Sequence, residues 1–223
     1  MRTIAKKIQL KGTLINNDLQ EIYDYFGKEA TSVNKLIEQF PEDEGDIVIE
    51  ANSNGGFVTA GSEIYTALRN YKGKVTVEVT GMVASAASFA IMGADKVVMS
   101  PTAQMMIHKA LFNEVSGNSD DLQKAISALN SSDEAIVSAY VAKTGLSEDE
   151  LMELMRNETY MSAREAVNKG FADEIMSFED YQAVASVSDS FISQDMINQF
   201  KSDMQEIENM KLEIAKEEIL QGL

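Results

Sequence analysis

The stretch Lys74–Phe89, KVTVEVTGMVASAASF, decides the fold class. In its first half Val75, Val77 and Val79 alternate with Thr76 and Glu78, the period-two pattern of a half-buried strand. Its second half, GMVASAASF, is made almost entirely of small residues, and with the continuation AIMGAD it carries no charge before Asp95. A helix with no charged face is buried, and small side chains let its backbone lie close to a sheet. The segment therefore predicts a strand that runs straight into a buried helix, with Ser85 in the first turn of that helix.

Neighbouring segments repeat the unit. TIAKKIQLKG reads as a first strand, TSVNKLIEQF as a helix capped by Thr31 or Ser32 and stopped by Pro41, and GDIVIEAN as the next strand. From Thr59 to Tyr71 the apolar or small residues Ala60, Ile64, Ala67 and Leu68 fall on one helical face. KVVMS and QMMIH follow as two short strands. Strands separated by helices of about ten residues predict an α/β protein with a mainly parallel sheet and right-handed crossovers. A long helix is expected from Ser119 to Lys143, its stripe formed by Leu122, Ala125, Ile126, Leu129, Ile136, Val137 and Tyr140. Two shorter helices follow, Ser147–Met155 and Ser162–Lys169, the second closed by Gly170.

Beyond Phe178 the character changes, which divides the chain into a domain over 1–178 and a tail over 179–223. Tyr181 to Leu223 holds eight acidic and three basic residues, with Met196, Phe200, Met204, Ile207, Met210 and Ile214 mostly three or four apart. That is an acidic amphipathic helix with Ser193 as its N-cap. It packs on its own fold or on a sister subunit, or it docks a partner.

Composition excludes several function classes. The 223 residues, 44% of them hydrophobic, can bury one sizeable core. There is no apolar run of about 18 residues and no secretion signal in MRTIAKKIQLKG, so a cytoplasmic protein is expected and a membrane partner is not. The absence of cysteine removes disulfides, thiolate catalysis and Cys-based metal sites, and no cofactor or metal is called for. A net charge of −17 without a basic stripe argues against nucleic acid.

Small residues beside a sheet are explained by packing alone, but a serine becomes a nucleophile when a base takes its proton. The single histidine, His108, ends the strand-like run QMMIH, one β-unit after Ser85. In parallel α/β sheets functional groups gather at the carboxyl ends of strands, where the two would meet. EANSNGGFVTAG adds Gly55 and Gly56 at the end of a third strand. Paired glycines there let backbone N–H groups point at an oxyanion, although they also suit an ordinary tight turn.

Together EANSNGGFVTAG, GMVASAASF, MMIHKA and SAREAVNKGFADEI make the chain resemble the Clp protease proteolytic subunit family from Ile8 to Ile175, and most of all its phage-encoded branch associated with prohead maturation. The resemblance implies a crotonase-like α/β spiral with a protruding helical handle, and a serine endopeptidase using a Ser-His-Asp triad inside an oligomeric chamber. Carried over, the nucleophile is Ser85, the general base His108 and the third member Asp173 of GFAD. The oxyanion hole is the N–H of Gly56 with that of Ala86, and Ser88 is a packing residue. The handle is the long helix after Asn113, and LFNEVSGN before it is the segment that pairs between rings. Expected partners are protein or peptide substrates, sister subunits in stacked heptameric rings, and capsid or portal proteins.

Two departures from the family pattern stand out. NSNGG has Asn54 where the family turn has proline, which predicts a looser loop. The chain also enters its first strand almost at once, where members that work with an ATP-driven unfoldase carry an additional segment, so no dedicated ATPase is expected. The alternatives are a housekeeping-type Clp subunit that does work with an ATPase, a crotonase-type acyl-CoA enzyme, a non-catalytic scaffold subunit, and a Ser-Lys peptidase using Lys109.

Overall fold

The computed structural model describes residues 5–177, 198–207 and 209–211. The chain opens with β1 (Lys6–Leu14), a 3-10 turn at Asn17–Leu19, α1 (Gln20–Tyr25), β2 (Ala30–Thr31) and α2 (Val33–Ile37). The central units are β3 (Ile47–Gly56), α3 (Val58–Asn70), β4 (Val75–Ala84) and α4 (Ala86–Ala90). After β5 (Lys96–Met99) and β6 (Gln104–Ile107) come α5 (Ser119–Thr144), α6 (Glu148–Arg156), β7 (Thr159–Ser162), α7 (Ala163–Asn168) and β8 (Glu174–Ile175). Every strand pair is parallel except β6 with β7, so the parallel α/β expectation describes the architecture.

The alternation in KVTVEVT is real: Val75, Val77 and Val79 are buried, as are Ile47, Ile49 and Ala51 beside them on β3. Each buried valine or isoleucine among them contributes roughly 1.5–3 kcal/mol by leaving water. The small-residue segment is buried as expected, from Ala86 to Ala90. It is not all helix, however. β4 continues through Ala84, because Met82, Val83 and Ala84 are taken up in the ladder by Gln104, Met105 and Met106 of β6. Ser85 is therefore the residue before the helix and not in its first turn.

β4 also divides the sheet. Its first half, Thr76–Val79, pairs with β5, which leads to β8, whereas its last residues, Met82–Ala84, pair with β6, which leads to β7. Everything joined to β5 thus lies at one end of β4 and everything joined to β6 at the other.

Local chemistry sets the helix starts. Of the two caps offered for α2, Ser32 accepts from the Lys35 N–H, while the Thr31 hydroxyl is committed to Lys11 across the β1–β2 edge. α5 starts in a capping box, Asn118 with Asp121, and ends at Gly145 with φ 72°. At 26 residues it is about 39 Å long. Its second half is buried at Asp133, Ile136, Val137, Ala139 and Tyr140, while Leu122 and Ile126 in its first half are exposed.

The chain divides between Ser177 and Phe178 into two units. In the second unit the described residues are helical, with Phe200, Met204, Ile207 and Met210 exposed. The expected cap Ser193 and the apolar positions Met196 and Ile214 lie outside the described residues.

Candidate functional site

The strand–helix junction at Ser85 has φ 53° and ψ −128°, a region that side-chain-bearing residues rarely occupy and that costs on the order of 1–3 kcal/mol. A sharp turn of this kind lifts the side chain out of the strand and helix, so that its hydroxyl faces open space. The turn is held from both sides. The Ser85 N–H donates to the Met106 carbonyl at 3.0 Å, continuing the β4–β6 ladder by one residue, and the Ser85 carbonyl accepts from the Ser88 N–H at 3.0 Å.

Two residues beyond Met106, His108 leaves β6, and its Nε2 lies 2.7 Å from Ser85 Oγ. The predicted pairing of the two residues is thus present as a hydrogen bond, and the half-buried imidazole is open to the cleft. Lys109 is engaged elsewhere: its ammonium sits 2.9 Å from Asp133 Oδ2. This favours the imidazole over the lysine as the partner of Ser85.

Asp173 does not reach this pair. Its Oδ2 accepts from the Val97 N–H at 2.6 Å and from Lys143 Nζ at 2.5 Å, and its own N–H donates to the Val97 carbonyl. Val97 pairs with Val77, eight residues before Ser85 and in the half of β4 that β6 does not reach. The carboxylate expected from GFAD belongs to the β5–β8 branch and serves there as a structural acceptor.

The acid that adjoins the same strand pair as His108 is Glu158. β6 and β7 pair as Gln104 with Ser162, Met105 with Met161, Met106 with Tyr160 and Ile107 with Thr159, and His108 and Glu158 are the residues that adjoin that last pair. Glu158 follows the end of α6 at φ 46°, a left-handed position that usually goes to glycine. The sequence offered one signal, the short run TYMS between two helices, whose four residues are too few to stand out as a strand.

Gly55 and Gly56 close the other side, with φ 94° and 155°. A Cβ on Gly55 would lie 2.6 Å from Ser85 Cβ and 2.8 Å from the Ala86 nitrogen, and one on Gly56 would lie 2.1 Å from the Leu14 carbonyl. Only glycine lets β3 come this close to the Ser85 turn. The Gly55 N–H is used by Ser53 Oγ at 3.1 Å, and that hydroxyl donates to the Gly12 carbonyl at 2.5 Å, which ties down the loop that Asn54 was expected to loosen. Phe57 N–H donates to the Leu14 carbonyl.

Around Ser85 and His108 opens a cleft of about 630 Å³, with Phe57, Val58, Phe89, Leu111, Phe112 and Leu129 as apolar walls. Leu129, read from the sequence as part of the long helix's apolar stripe, is half-buried and lines this cleft. Among the described residues no cluster of His, Asp and Glu is arranged to hold a metal ion, and no helix is long and apolar enough to cross a membrane.

The model of the Clp protease family matches residues 20–179, more than half of the chain, and takes in β3, the Ser85 turn, His108, α5 and Glu158. Members of that family are serine-type peptidases of crotonase-like α/β fold that form oligomeric rings and act on proteins. On that match, which takes in the sheet except β1 and the cleft except Thr13, the chain belongs to the Clp protease family.

Proposed function

We propose that this chain is a serine endopeptidase in which Ser85 is the nucleophile, His108 the general base and Glu158 the carboxylate behind the base. The observation that carries the reading is the 2.7 Å contact between His108 Nε2 and Ser85 Oγ at a strained backbone turn. In the first step Ser85 Oγ adds to the scissile carbonyl and its proton passes to His108 Nε2. The oxyanion that forms is assigned to the N–H groups of Gly56 and Ala86, which lie where the end of β3 comes against the Ser85 turn. His108 then returns the proton to the leaving amine, and an acyl-enzyme on Ser85 remains. Water hydrolyses that ester by the same proton route in reverse, restoring Ser85 Oγ–H and His108. A carboxylate at Glu158 favours the Nδ1–H tautomer of His108, leaving Nε2 free to accept, and stabilises the imidazolium.

Within the family we place the chain in the head-maturation branch, in the cytoplasm of an infected or lysogenic cell, with capsid and portal proteins as substrates. The support is the resemblance carried by EANSNGGFVTAG, GMVASAASF and SAREAVNKGFADEI. Reaction with a fluorophosphonate probe, followed by peptide mapping, tests the chemistry. A label on Ser85 that is lost in Ser85→Ala supports the reading, and an unlabelled wild type rejects it in favour of a scaffold or an acyl-CoA enzyme.

A further inference from the structure

We propose that Ser88 and Tyr140 form a buried hydroxyl relay that fixes the Ser85 carbonyl, making both of them positioning residues for the nucleophile. The inference rests on the reading of Ser85 as that nucleophile. Ser88 lies one turn into α4 and is fully buried, and its Oγ sits 2.6 Å from the Ser85 carbonyl and 2.7 Å from the Tyr140 hydroxyl. A carbonyl can only accept, so the single Ser88 proton goes to Ser85, and Tyr140 must donate to Ser88. The direction of the relay is therefore fixed: Tyr140 to Ser88 to the Ser85 carbonyl. Burial pushes the Tyr140 phenol up from its ordinary range, so it stays a donor throughout any working pH.

An ordinary helical serine bonding back to a carbonyl does not account for the arrangement. Ser127, Ser132 and Ser138 on α5 do that, each to the carbonyl four residues earlier, and none has a second side-chain partner. Ser88 bonds three residues back, to the carbonyl of a residue with φ 53°. It thereby gives the strained peptide a second donor besides the Ser88 N–H. An oxygen held by two donors, one of them backed by a second hydroxyl, has little freedom to swing. Rotation of that carbonyl would turn the Ser85–Ala86 peptide, and with it the Ala86 N–H that the proposed mechanism uses.

Tyr140 belongs to α5, and the same helix reaches the other half of the pair. Seven residues earlier the buried Asp133 accepts from the Ala110 N–H at 2.8 Å and holds Lys109, so it fastens the two residues that follow His108. Positions seven apart lie on one helical face. One face of α5 therefore secures the segments that carry both Ser85 and His108.

The test uses the full-length protein, a fluorogenic peptide and the fluorophosphonate probe, with Ser88→Ala, Tyr140→Phe, the double variant and the conservative Ser88→Thr. Misplacement of reacting groups by an ångström lowers rates by about a hundredfold. Ser88→Ala should therefore lose about ten- to a hundredfold in kcat and in the labelling rate, with KM within about twofold. Tyr140→Phe should fall in the same direction, the double variant should be no slower than Ser88→Ala, and Ser88→Thr should regain most of the rate. Wild-type kcat and labelling in Tyr140→Phe and in folded Ser88→Ala overturn the relay, as do losses that multiply in the double variant. Should Ser88→Ala not fold, Tyr140→Phe, which deletes one oxygen and adds no bulk, decides alone. Failure of the underlying reading shows differently, as a wild type that neither labels nor differs from Ser85→Ala, and that result overturns the relay with it.

Discussion

The Ser85 N–H donates to the Met106 carbonyl, so the residue that would attack and the residue that would take its proton are fastened to the same strand pair. His108 is two residues beyond Met106, so the β4–β6 register brings the two segments together, and His108 Nε2 lies 2.7 Å from Ser85 Oγ. Ser85→Ala removes one oxygen from a side chain facing the cleft and should leave the fold intact while lowering kcat/KM by at least about four orders of magnitude. His108→Gln should do nearly the same. Circular dichroism identical to wild type, with residual hydrolysis below a thousandth, is the expected result; near-normal turnover in either variant rejects the pair.

Glu158 and Asp173 make opposite predictions. Glu158→Gln should lower kcat by about a hundredfold to ten-thousandfold, as the loss of a triad carboxylate does. Glu158→Gly should be as inactive, yet no less stable, because glycine relieves a left-handed position that costs a side-chain-bearing residue about 1–2 kcal/mol. Asp173→Asn should stay within a few-fold of wild type in kcat but unfold at a lower temperature, since Lys143 and the Val97 N–H lose a charged acceptor. Activity lost in Asp173→Asn and kept in Glu158→Gln would restore the first assignment.

The two acids show what the sequence could and could not convey. The parallel sheet, the buried serine segment and the approach of Ser85 to His108 were legible because each rests on a local pattern: alternating valines, uncharged small residues, and strand ends in a known order. The acid was not legible, because its place depends on which half of β4 its branch joins. Asp173 hangs from the β5 half and Glu158 from the β6 half, a tertiary fact that spacing along the chain does not contain. Ser88 was likewise read as packing, since its role appears only when Tyr140, 52 residues away, is brought against it.

Tyr140 should also set an alkaline limit on stability. Below the usual phenol value of about 10 the side chain is protonated in both states and contributes no pH dependence. Above it the unfolded phenol ionises while burial holds the folded one protonated, so the unfolded state binds fewer protons and stability falls by up to about 1.4 kcal/mol per pH unit. Urea midpoints measured from pH 8 to 11 should decline above pH 10 in wild type and decline less steeply in Tyr140→Phe. Equal slopes in the two proteins would contradict this.

The first half of α5 is the face expected to meet a sister subunit. Leu122 and Ile126 lie four apart on one face and are 44% and 51% exposed, and Leu111, Phe112 and Val115 just before the helix are also exposed. Members of the family form rings, and covering a leucine-sized side chain contributes roughly 1.5–3 kcal/mol per copy, repeated around a ring. The double substitution Leu122→Glu with Ile126→Glu places two charges there without touching the cleft, whereas a charge at Leu129 would enter the cleft itself. The variant should run as smaller particles in light scattering, keep its helical dichroism because neither side chain packs in its own core, and lose activity, since α5 also carries Tyr140 and Asp133. Particles of unchanged size would show that this face is not where subunits meet, and lost dichroism would show that it stabilises its own subunit instead.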